Sequence, residues 1–367
     1  MNIVWLSWKD MRHPEAGGAE LVTHQNLARL VKDGHNVTLL TSQPAGLPHE
    51  ETTAEGYKII RQGSRYTVYP KVRAYYKKHL LDSTDLTIEE INTIPFFSQT
   101  YTKKPPVLFF HQLAREVWFY QMTWPLSWIG YAIEPLYLRV LNKRKVITIS
   151  DSTKQDLIKT AGFKPQNISL VRVGIELTPL ASLAKVKKYD QPTLLSLGSV
   201  RPMKGTLNIV KAYEVAKKTL PNLRLIIAGN NSGPYGQKVL SYIGRSPYKA
   251  DIEVLGGVST EKKQELMRLC HAIAQASIKE GWGLTVTEAN SQGTPAVSYD
   301  VDGLRNSVKN GSTGFVTATN PAALGQGIVS LLSDEQTYQT IRHQAWEDSK
   351  QYTFDTTYAD LKKALGL

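Results

Sequence analysis

The chain has 367 residues, and its composition, 41% hydrophobic and 21% charged, is that of an ordinary soluble globular protein. A single cysteine, Cys270, excludes an internal disulfide and a cysteine-rich metal site, which favours a reducing, cytoplasmic setting. The net charge of +12 is not accompanied by a nucleic-acid recognition motif, so nucleic acid is not expected as a partner. The length exceeds the usual size of one hydrophobic core, and two domains are expected.

Apolar runs of strand length alternate along the chain with segments of helical period, which predicts an α/β fold with parallel sheets. The chain passes from Met1 directly into an apolar run, so we predict no signal peptide. A strand is predicted at residues 3–7, an amphipathic helix at 19–31 that ends at Gly34, and a second strand at 37–41. The later strands of this half are predicted at residues 86–90, 107–111, 146–150 and 168–171.

The alternation becomes irregular at residues 177–191, where prolines and a basic cluster at 185–188 indicate a linker. A second series then begins, with strands predicted at 193–197, 223–228, 252–255, 272–276 and 296–299. We therefore expect two Rossmann-like β/α/β domains that face each other across a ligand-binding cleft. The expected bounds are 1–176 for the N-terminal domain and 177–350 for the C-terminal domain. A last helix, at about 351–367, could pack back on the N-terminal domain.

The strongest chemical signal is the segment SIKEGWGLTVTEANSQGTP at residues 277–295, which begins where a strand ends and opens a helix. Backbone amides at a helix start, here around Gly283 and Leu284, are unpaired and lie at the positive end of the helix dipole, so they favour a pyrophosphate. Glu288 follows Leu284 by one helical turn, and its carboxylate can accept two hydrogen bonds from a ribose diol. Glu280, in the preceding loop, would lie nearer the sugar.

Two further segments of the N-terminal half have unusual compositions. Between Glu55 and Asp82 no acidic residue occurs, whereas basic residues occur at Lys58, Arg61, Arg65, Lys71, Arg73, Lys77 and Lys78. This basic tract is either a solvated face or a surface for anionic lipid head groups or a phosphate-bearing acceptor. The aromatic segment 117–141 either packs the domain or forms an amphipathic patch at a membrane interface. Its prolines and charges make it unfit to span a bilayer.

Glu280 and Glu288, in a Glu-Gly-Trp-Gly-Leu setting with seven residues between them, resemble the signature of family 4 of the retaining glycosyltransferases, also called glycosyl transferases group 1. Other segments are similar to that family in the same order, over nearly the whole chain. They are GGAE at 17–20, GHNV at 34–37, VGIE at 173–176, the loop 198–205, DG at 302–303 and GSTGF at 311–315. The resemblance implies the GT-B fold of two Rossmann-like domains.

The resemblance also implies roles for single residues. Glu288 is similar to the family's ribose-binding glutamate, and Glu280 to the glutamate that orients the transferred sugar. Lys204 corresponds to the lysine on the donor pyrophosphate. The family's arginine usually follows the loop glycine directly. Here Ser199 stands at that position, and Arg201 is the candidate two residues on.

His111 closes a predicted strand and resembles the N-domain histidine that contacts the donor sugar; the alternative is a strand-end histidine held by backbone groups. The expected catalytic residues are therefore Glu280, His111 and Lys204. The expected donor-binding residues are Gly17, Gly18, Arg201, Lys204, Gly283, Leu284, Thr285 and Glu288. Neither a metal nor a cofactor besides the nucleotide sugar is expected, because Lys204 and the helix start can neutralise the leaving diphosphate.

The predicted activity is retaining, metal-independent transfer of a hexose-type sugar from a nucleotide-diphosphate sugar, with a UDP-sugar favoured over GDP-mannose. The predicted acceptor is a glycan or a lipid-linked molecule of cell-surface polysaccharide synthesis. The predicted location is the cytoplasm, with an anionic membrane surface as a further partner at the inner face of the membrane. Two alternatives stay open: a GT-B phosphorylase or sugar-phosphate synthase, and a non-catalytic nucleotide-sugar-binding subunit.

Overall fold

Each half of the chain folds around its own mainly parallel sheet, with helices in the connections between strands. The computed structural model describes residues 1–367, apart from the side chain of Gln121. The chain divides into a first unit, residues 1–174 together with 354–367, and a second unit, residues 175–353. Two parallel-sheet, Rossmann-like units confirm the predicted α/β fold class.

Eight strands form the sheet of the first unit. They are β1 (Asn2–Leu6), β2 (Asn36–Thr41), β3 (Glu50–Thr52), β4 (Lys58–Arg61), β5 (Leu86–Ile91), β6 (Val107–Phe110), β7 (Val146–Thr148) and β8 (Ile168–Leu170). Between them lie α1 (Gly18–Lys32), α2 (Val68–His79), α3 (Trp118–Gln121), α4 (Leu126–Leu141) and α5 (Asp151–Ala161). The strand order is β3-β4-β2-β1-β5-β6-β7-β8, and all neighbours are parallel except β3 and β4.

The central strands of this sheet are buried on both faces. In β1, the side chains from Ile3 to Leu6 are at most 2% exposed. A parallel sheet covered by helices on both sides needs no alternation of polar and apolar residues, which explains the near-continuous apolar runs. Strand β5 is the exception, because its two glutamates, Glu89 and Glu90, are buried in the middle of the sheet.

The basic tract of residues 58–78 does not form one exposed surface. Arg61, at the end of β4, is fully buried, and its guanidinium lies 2.8 Å from Asp10 and 2.9 Å from Glu51. The expectation of a continuous basic face is therefore wrong at Arg61. The basic residues of α2, by contrast, are exposed and form no ion pair with any side chain that the structure describes; they are Lys71, Arg73, Lys77 and Lys78.

The second unit has a six-stranded sheet formed by β9 (Thr193–Leu197), β10 (Arg224–Ala228), β11 (Ile252–Gly256), β12 (Ala272–Gln275), β13 (Ala296–Tyr299) and β14 (Gly314–Thr317). Its helices are α6 (Thr206–Lys217), α7 (Pro234–Arg245), α8 (Thr260–Leu269), α9 (Leu284–Ser291), α10 (Leu304–Ser307), α11 (Pro321–Leu332) and α12 (Glu335–Ser349). The strand order is β11-β10-β9-β12-β13-β14, and every neighbouring pair is parallel.

Residues 177–191 lie within the second unit and contribute to its packing. The Lys188 ammonium donates to the carbonyl oxygens of Cys270 and Gly293, at 2.8 and 2.7 Å, and to the Thr294 hydroxyl at 2.7 Å. Burial holds the pKa of Lys188 well below its usual range. An ammonium with three acceptors is fixed in place, so this part of the predicted linker packs within the second unit.

The last helix, α13 (Phe354–Leu365), belongs to the first unit, although the chain passes through the whole second unit before reaching it. Asp360 of α13 accepts from the guanidinium of Arg172 at 2.8 and 2.9 Å. The Tyr358 hydroxyl donates to Asp33, after the end of α1, at 2.9 Å. These contacts fix α13 against α1 and the segment after β8.

Two further properties bear on function. The single cysteine, Cys270, is buried, and burial raises the pKa of its thiol to about 12. In the part of the chain that the structure describes, no helix combines the length and the apolar character that crossing a bilayer requires.

The buried ion pairs of Arg61 give the first testable prediction. The substitution Arg61→Ala would leave Asp10, which is almost fully buried, without its cationic partner. We expect this to lower the free energy of unfolding by about 3–5 kcal/mol, measured by urea or thermal denaturation. The control Lys71→Ala removes an exposed cation of the same tract and should change stability by no more than about 0.5 kcal/mol. Equal effects of the two substitutions would contradict the structural role of Arg61.

Candidate active site

Strand β9 is the point at which the order of the second sheet reverses, because its neighbours β10 and β12 lie on opposite sides of it. After β9 the chain continues to β10 on one side, and after β12 it continues to β13 on the other. Such switch points are where α/β sheets bind ligands. The two loops are residues 198–205 and 276–283. They are in direct contact, because the Ile278 amide donates to the Met203 carbonyl oxygen at 2.9 Å.

Gly205 makes this close approach of the two loops possible. Its φ angle is +62°, and a Cβ atom at this position would lie 2.2 Å from the carbonyl oxygen of Ala276. Only glycine tolerates both the left-handed conformation and the approach of another backbone. Because Lys204 immediately precedes Gly205, the glycine also fixes the backbone from which the lysine side chain extends.

The start of α9 carries a run of backbone amides without partners. Among the residues that the structure describes, no hydrogen bond engages the amides from Gly281 to Thr285, and these five residues are half-buried. Gly283, with a φ angle of +76°, turns the chain into α9. Unpaired amides at the positive end of a helix dipole form a binding site for an anion such as a phosphate.

Lys204 and Glu280 lie together beside these amides. The Lys204 ammonium is 2.5 Å from Oε1 of Glu280, and the Ser277 hydroxyl donates to the same oxygen at 2.6 Å. The side chains of Lys204 and Glu280 remain 26% and 19% exposed, so a ligand can reach both. The amide of Glu280 donates to the Asp302 carbonyl oxygen at 3.1 Å, which holds this loop on the one after β13.

Glu288 lies in the second turn of α9 and is almost fully buried. Its carboxylate is 2.8 Å from the ammonium of Lys263, which comes from α8. Burial raises the pKa of Glu288, and the Lys263 charge offsets part of this rise. Sequence reasoning missed Lys263, because it lies on the polar side of a helix and nothing in its spacing distinguishes it from a solvated lysine.

The structure does not bring Arg201 into this group. Arg201 is exposed at the start of the turn Pro202–Lys204, and its side chain contacts neither Lys204 nor the two glutamates among the contacts described. Lys279 is also unavailable to an anion, because it is buried and its ammonium lies 2.6 Å from Asp302. Lys204 is therefore an accessible cation held beside the loop that leads into α9. No cluster of three His, Cys, Asp or Glu side chains that could hold a metal ion occurs within the described residues.

In the first unit, His111 lies just after β6 and is almost fully buried. Its Nε2 atom is 3.2 Å from Oε1 of Glu90, without the alignment of a good hydrogen bond. The second oxygen of Glu90 accepts from Trp5 Nε1 at 2.9 Å and from the Thr23 hydroxyl at 2.8 Å. Burial opposes ionisation of Glu90, but His111, Thr23 and Trp5 outweigh it and hold the pKa of this carboxyl below its usual value.

Glu90 is thus a second residue that sequence reasoning missed. The signal that could have indicated it is the occurrence of two consecutive glutamates inside a strand predicted to be buried, since a buried charge needs a partner. The other glutamate, Glu89, accepts from the amides of Phe97 and Ser98 and has a structural role.

Gly17 and Gly18 begin α1, after the loop that follows β1. The Gly17 amide donates to the carboxylate of Glu20 at 2.7 Å, and the Glu20 side chain also pairs with Lys9 at 3.1 Å. Glu20 therefore supplies one half of a capping box at the first turn of α1, since Gly17 has no side chain for the other half. Both glycines lie in the first unit, whereas the amides of α9 and Lys204 lie in the second.

The geometry around Gly205 gives a prediction that does not depend on function. In Gly205→Ala, the alanine must adopt a left-handed backbone conformation, and its Cβ must displace the Ala276 carbonyl. Gly311→Ala is the control, because its φ angle is +76° but open space surrounds the position, so only the left-handed conformation destabilises it. We expect about 1–2 kcal/mol of destabilisation for Gly311→Ala. Gly205→Ala should cost about 1–3 kcal/mol more, measured by chemical denaturation. A Gly205→Ala protein as stable as Gly311→Ala would show that the loops are not held together at this contact.

Comparison with known proteins gives consistent matches. The model of Glycosyltransferase Family 4 matches residues 16–178, and that of Glycosyl transferases group 1 matches residues 182–348. Poly(glycerol-phosphate) alpha-glucosyltransferase of Bacillus subtilis is 32% identical over 179 residues, which are 48% of this chain and 26% of that protein. The chain spans less than half the length of the first curated relatives that it matches.

Solved structures are similar over the whole chain. Sucrose-phosphate synthase from Thermosynechococcus elongatus has a TM-score of 0.80 at 17% identity and covers 100% of this chain and 98% of its own. Anabaena HepE in complex with UDP-glucose has a TM-score of 0.72 at 18% identity, with coverage of 100% and 99%. At these identities the likeness shows the fold, which is that of the GT-B glycosyltransferases. With both family models matched in order along the two units, the chain belongs to the family 4 glycosyltransferases, glycosyl transferases group 1.

Proposed function

We propose that the protein transfers a hexose-type sugar from a nucleotide-diphosphate sugar to an acceptor, with retention of configuration and without a metal ion. The observation that carries this proposal is the run of unpaired amides from Gly281 to Thr285, beside the accessible ammonium of Lys204. Fixed donors and a positive charge match the two negative charges of a diphosphate. In this proposal the diphosphate binds at the start of α9.

The nucleoside end of the donor is proposed to meet Glu288. Glu288 lies one helical turn beyond Leu284, so its carboxylate can face the same ligand as the amides. Accepting two hydrogen bonds from the ribose diol requires an ionised carboxylate, and Lys263, at 2.8 Å, favours that form in a buried position. Lys263 is therefore a positioning residue for Glu288.

The sugar end is proposed to meet Glu280, which precedes the amide run. In the transfer step the bond from the anomeric carbon to the diphosphate oxygen breaks, and the acceptor hydroxyl oxygen bonds to the same carbon from the same face. The hydroxyl proton passes to the departing diphosphate, so atoms and charge balance without a protein nucleophile. Lys204 and the amides stabilise the negative charge that develops on the diphosphate.

In the first unit, His111 is proposed to contact the transferred sugar, with Gly17 and Gly18 as further donor contacts. Glu90 is the positioning residue for His111, because its carboxylate lies 3.2 Å from Nε2 and is itself fixed by Trp5 and Thr23. The exposed position of Arg201 favours a lesser role for this residue than for Lys204.

The comparisons support a choice among donors and acceptors. HepE is crystallised with UDP and with UDP-glucose, and the Bacillus relative is named a glucosyltransferase of poly(glycerol phosphate). We propose a UDP-sugar as donor, before GDP-mannose, and a glycan or lipid-linked acceptor of cell-surface polysaccharide synthesis. The proposed place of transfer is the cytoplasmic face of the membrane.

Donor binding can be tested by thermal shift with a panel of UDP- and GDP-sugars. A donor at a hundred times its Kd stabilises the protein by about 2.7 kcal/mol and should raise Tm by several degrees. Glu288→Ala should abolish this shift at the same concentration, because the ribose loses its acceptor. The control Glu265→Ala removes a partly exposed glutamate of α8, which pairs with Lys262, and should keep the shift. A panel without any shift for the wild-type protein would remove the donor assignment.

Steady-state kinetics separate the proposed roles. Lys204→Ala should lower kcat by about 10²–10³-fold, since it removes a charge that acts on the leaving diphosphate. Glu288→Ala should mainly raise the donor KM. Lys218→Ala removes an exposed lysine and, as the control, should leave both constants unchanged. EDTA should leave the rate unchanged. Unchanged kinetics in the Lys204 and Glu288 variants would refute the site.

Two alternatives make different predictions in the same assays. A phosphorylase would cleave a glycan with inorganic phosphate and would need no nucleotide. A sugar-phosphate synthase would transfer the sugar to a sugar phosphate. A non-catalytic subunit would bind the donor and show the thermal shift. It would, however, show no transfer of the sugar and not even slow hydrolysis of the donor.

A further inference from the structure

Helix α4 of the first unit presents an unusually large apolar face to solvent. Along the helix, apolar residues recur at intervals of three and four, which places them on one side. They are Leu126, Ile129, Ile133, Leu136 and Val140, each about half exposed or more. Trp128, 59% exposed, lies at the flank of this face, and Trp124, 79% exposed, lies just before the helix. Monomeric soluble proteins rarely expose contiguous apolar patches of this kind without a function for them.

The opposite side of α4 is fixed to the protein. Glu134 is buried, and its carboxylate accepts from the amides of Ala114 and Arg115 and from Trp118 Nε1, at 2.7–3.1 Å. Leu138 and Leu141 are fully buried in the core formed with β6 and β7. Rotating the helix to hide its apolar face would break these contacts, so the exposure follows from how α4 is anchored.

Positive charge accompanies the apolar face. Arg139 borders the face, and a basic stretch at residues 143–145 follows the helix. The only acidic residue of α4 is the buried Glu134, so no exposed carboxylate on this helix neutralises them.

The basic helix α2 lies on the same side of the sheet as α4. Both connect parallel strands in the same direction along the sheet, from β4 to β5 and from β6 to β7, and right-handed crossovers place such helices on one face. The intervening segment links them: the ring of Tyr69 in α2 is 4.9 Å from that of Phe96, and the Tyr137 hydroxyl of α4 donates to the Thr93 carbonyl oxygen. The exposed cations of α2 therefore add to the charge of this side.

We propose that the apolar face of α4, bordered by these basic residues, docks the protein on an anionic lipid bilayer. The helix would lie in the plane of the interface, with its aliphatic side chains among the acyl chains and its tryptophans at the head-group level. The cations of α2 and of residues 139–145 would meet anionic head groups. At 16 residues, α4 is suited to lying in the interface and too short to cross it.

A second copy of the chain is the competing occupant, because apolar residues spaced alternately by three and four also suit helix pairing. Pairing two such faces would bring together helices that both end in basic residues and offer no exposed carboxylate to each other. An anionic surface supplies the missing charge. Charge complementarity therefore favours the bilayer.

The test is co-sedimentation of the full chain, without nucleotide sugar, with vesicles of phosphatidylcholine alone or containing 30% phosphatidylglycerol. We expect binding to the anionic vesicles that is weakened by high salt, and little binding to the neutral ones. The double variant Ile129→Ser, Ile133→Ser should bind roughly tenfold more weakly or worse. The control Leu170→Ser removes an aliphatic residue of similar exposure on β8 and should bind like the wild type.

Three outcomes would overturn the proposal. They are no binding to anionic vesicles, equal binding by the double variant and the wild type, and a dimer in analytical ultracentrifugation that the double variant abolishes. Circular dichroism and the donor thermal shift check that the variants are folded. Vesicle binding is measured without donor, so its failure leaves the proposed donor chemistry standing, and a failed donor assay leaves the docking surface standing.

Discussion

Unpaired amides at the start of α9 are the feature around which the loops of the second unit are arranged. Backbone donors that lack partners are costly where water is restricted, so a chain retains them only where another group can take the bonds. Gly205 lets the two loops at the switch point touch, Glu280 is held by the Asp302 carbonyl, and Gly283 turns the chain into the helix. In the proposed donor site, the side chains are thus secondary to this backbone arrangement.

The first unit contains a buried polar group of its own, the Glu90 carboxylate. Glu90 in the middle of a parallel sheet would be strongly destabilising alone, but Trp5, Thr23 and His111 surround its two oxygens. This arrangement orients an imidazole at the end of β6. Arg61, also buried, instead serves stability, because it pairs with Asp10, in the loop after β1, and with Glu51 of β3. Two buried charges of the same unit thus have different kinds of partner, and burial alone does not assign a function to either.

Sequence patterns predicted the strands with apolar runs well, including β1, β9 and β13, because strands buried on both faces have a continuous hydrophobic signal. They missed β3, β4 and β14, which are short and lie at or near sheet edges, where charged and glycine residues interrupt that signal. Glu280, Glu288 and Lys204 could be singled out because their motif is local in sequence. Lys263 could not, because its partner Glu288 is distant in the chain and only the fold shows that proximity. The paired glutamates of β5 indicate a buried charge at Glu90, but only the fold shows that His111 lies beside it.

The inert state of Cys270 has a practical consequence. A thiol that is fully buried and protonated at neutral pH does not react with maleimides or spin labels, and the chain has no other cysteine. A reporter group can therefore be attached at any introduced surface cysteine without first deleting a native one. A fluorophore or nitroxide at position 133 would report the polarity around the proposed docking face, and one near residue 204 would follow the loop at the proposed donor site in the same background.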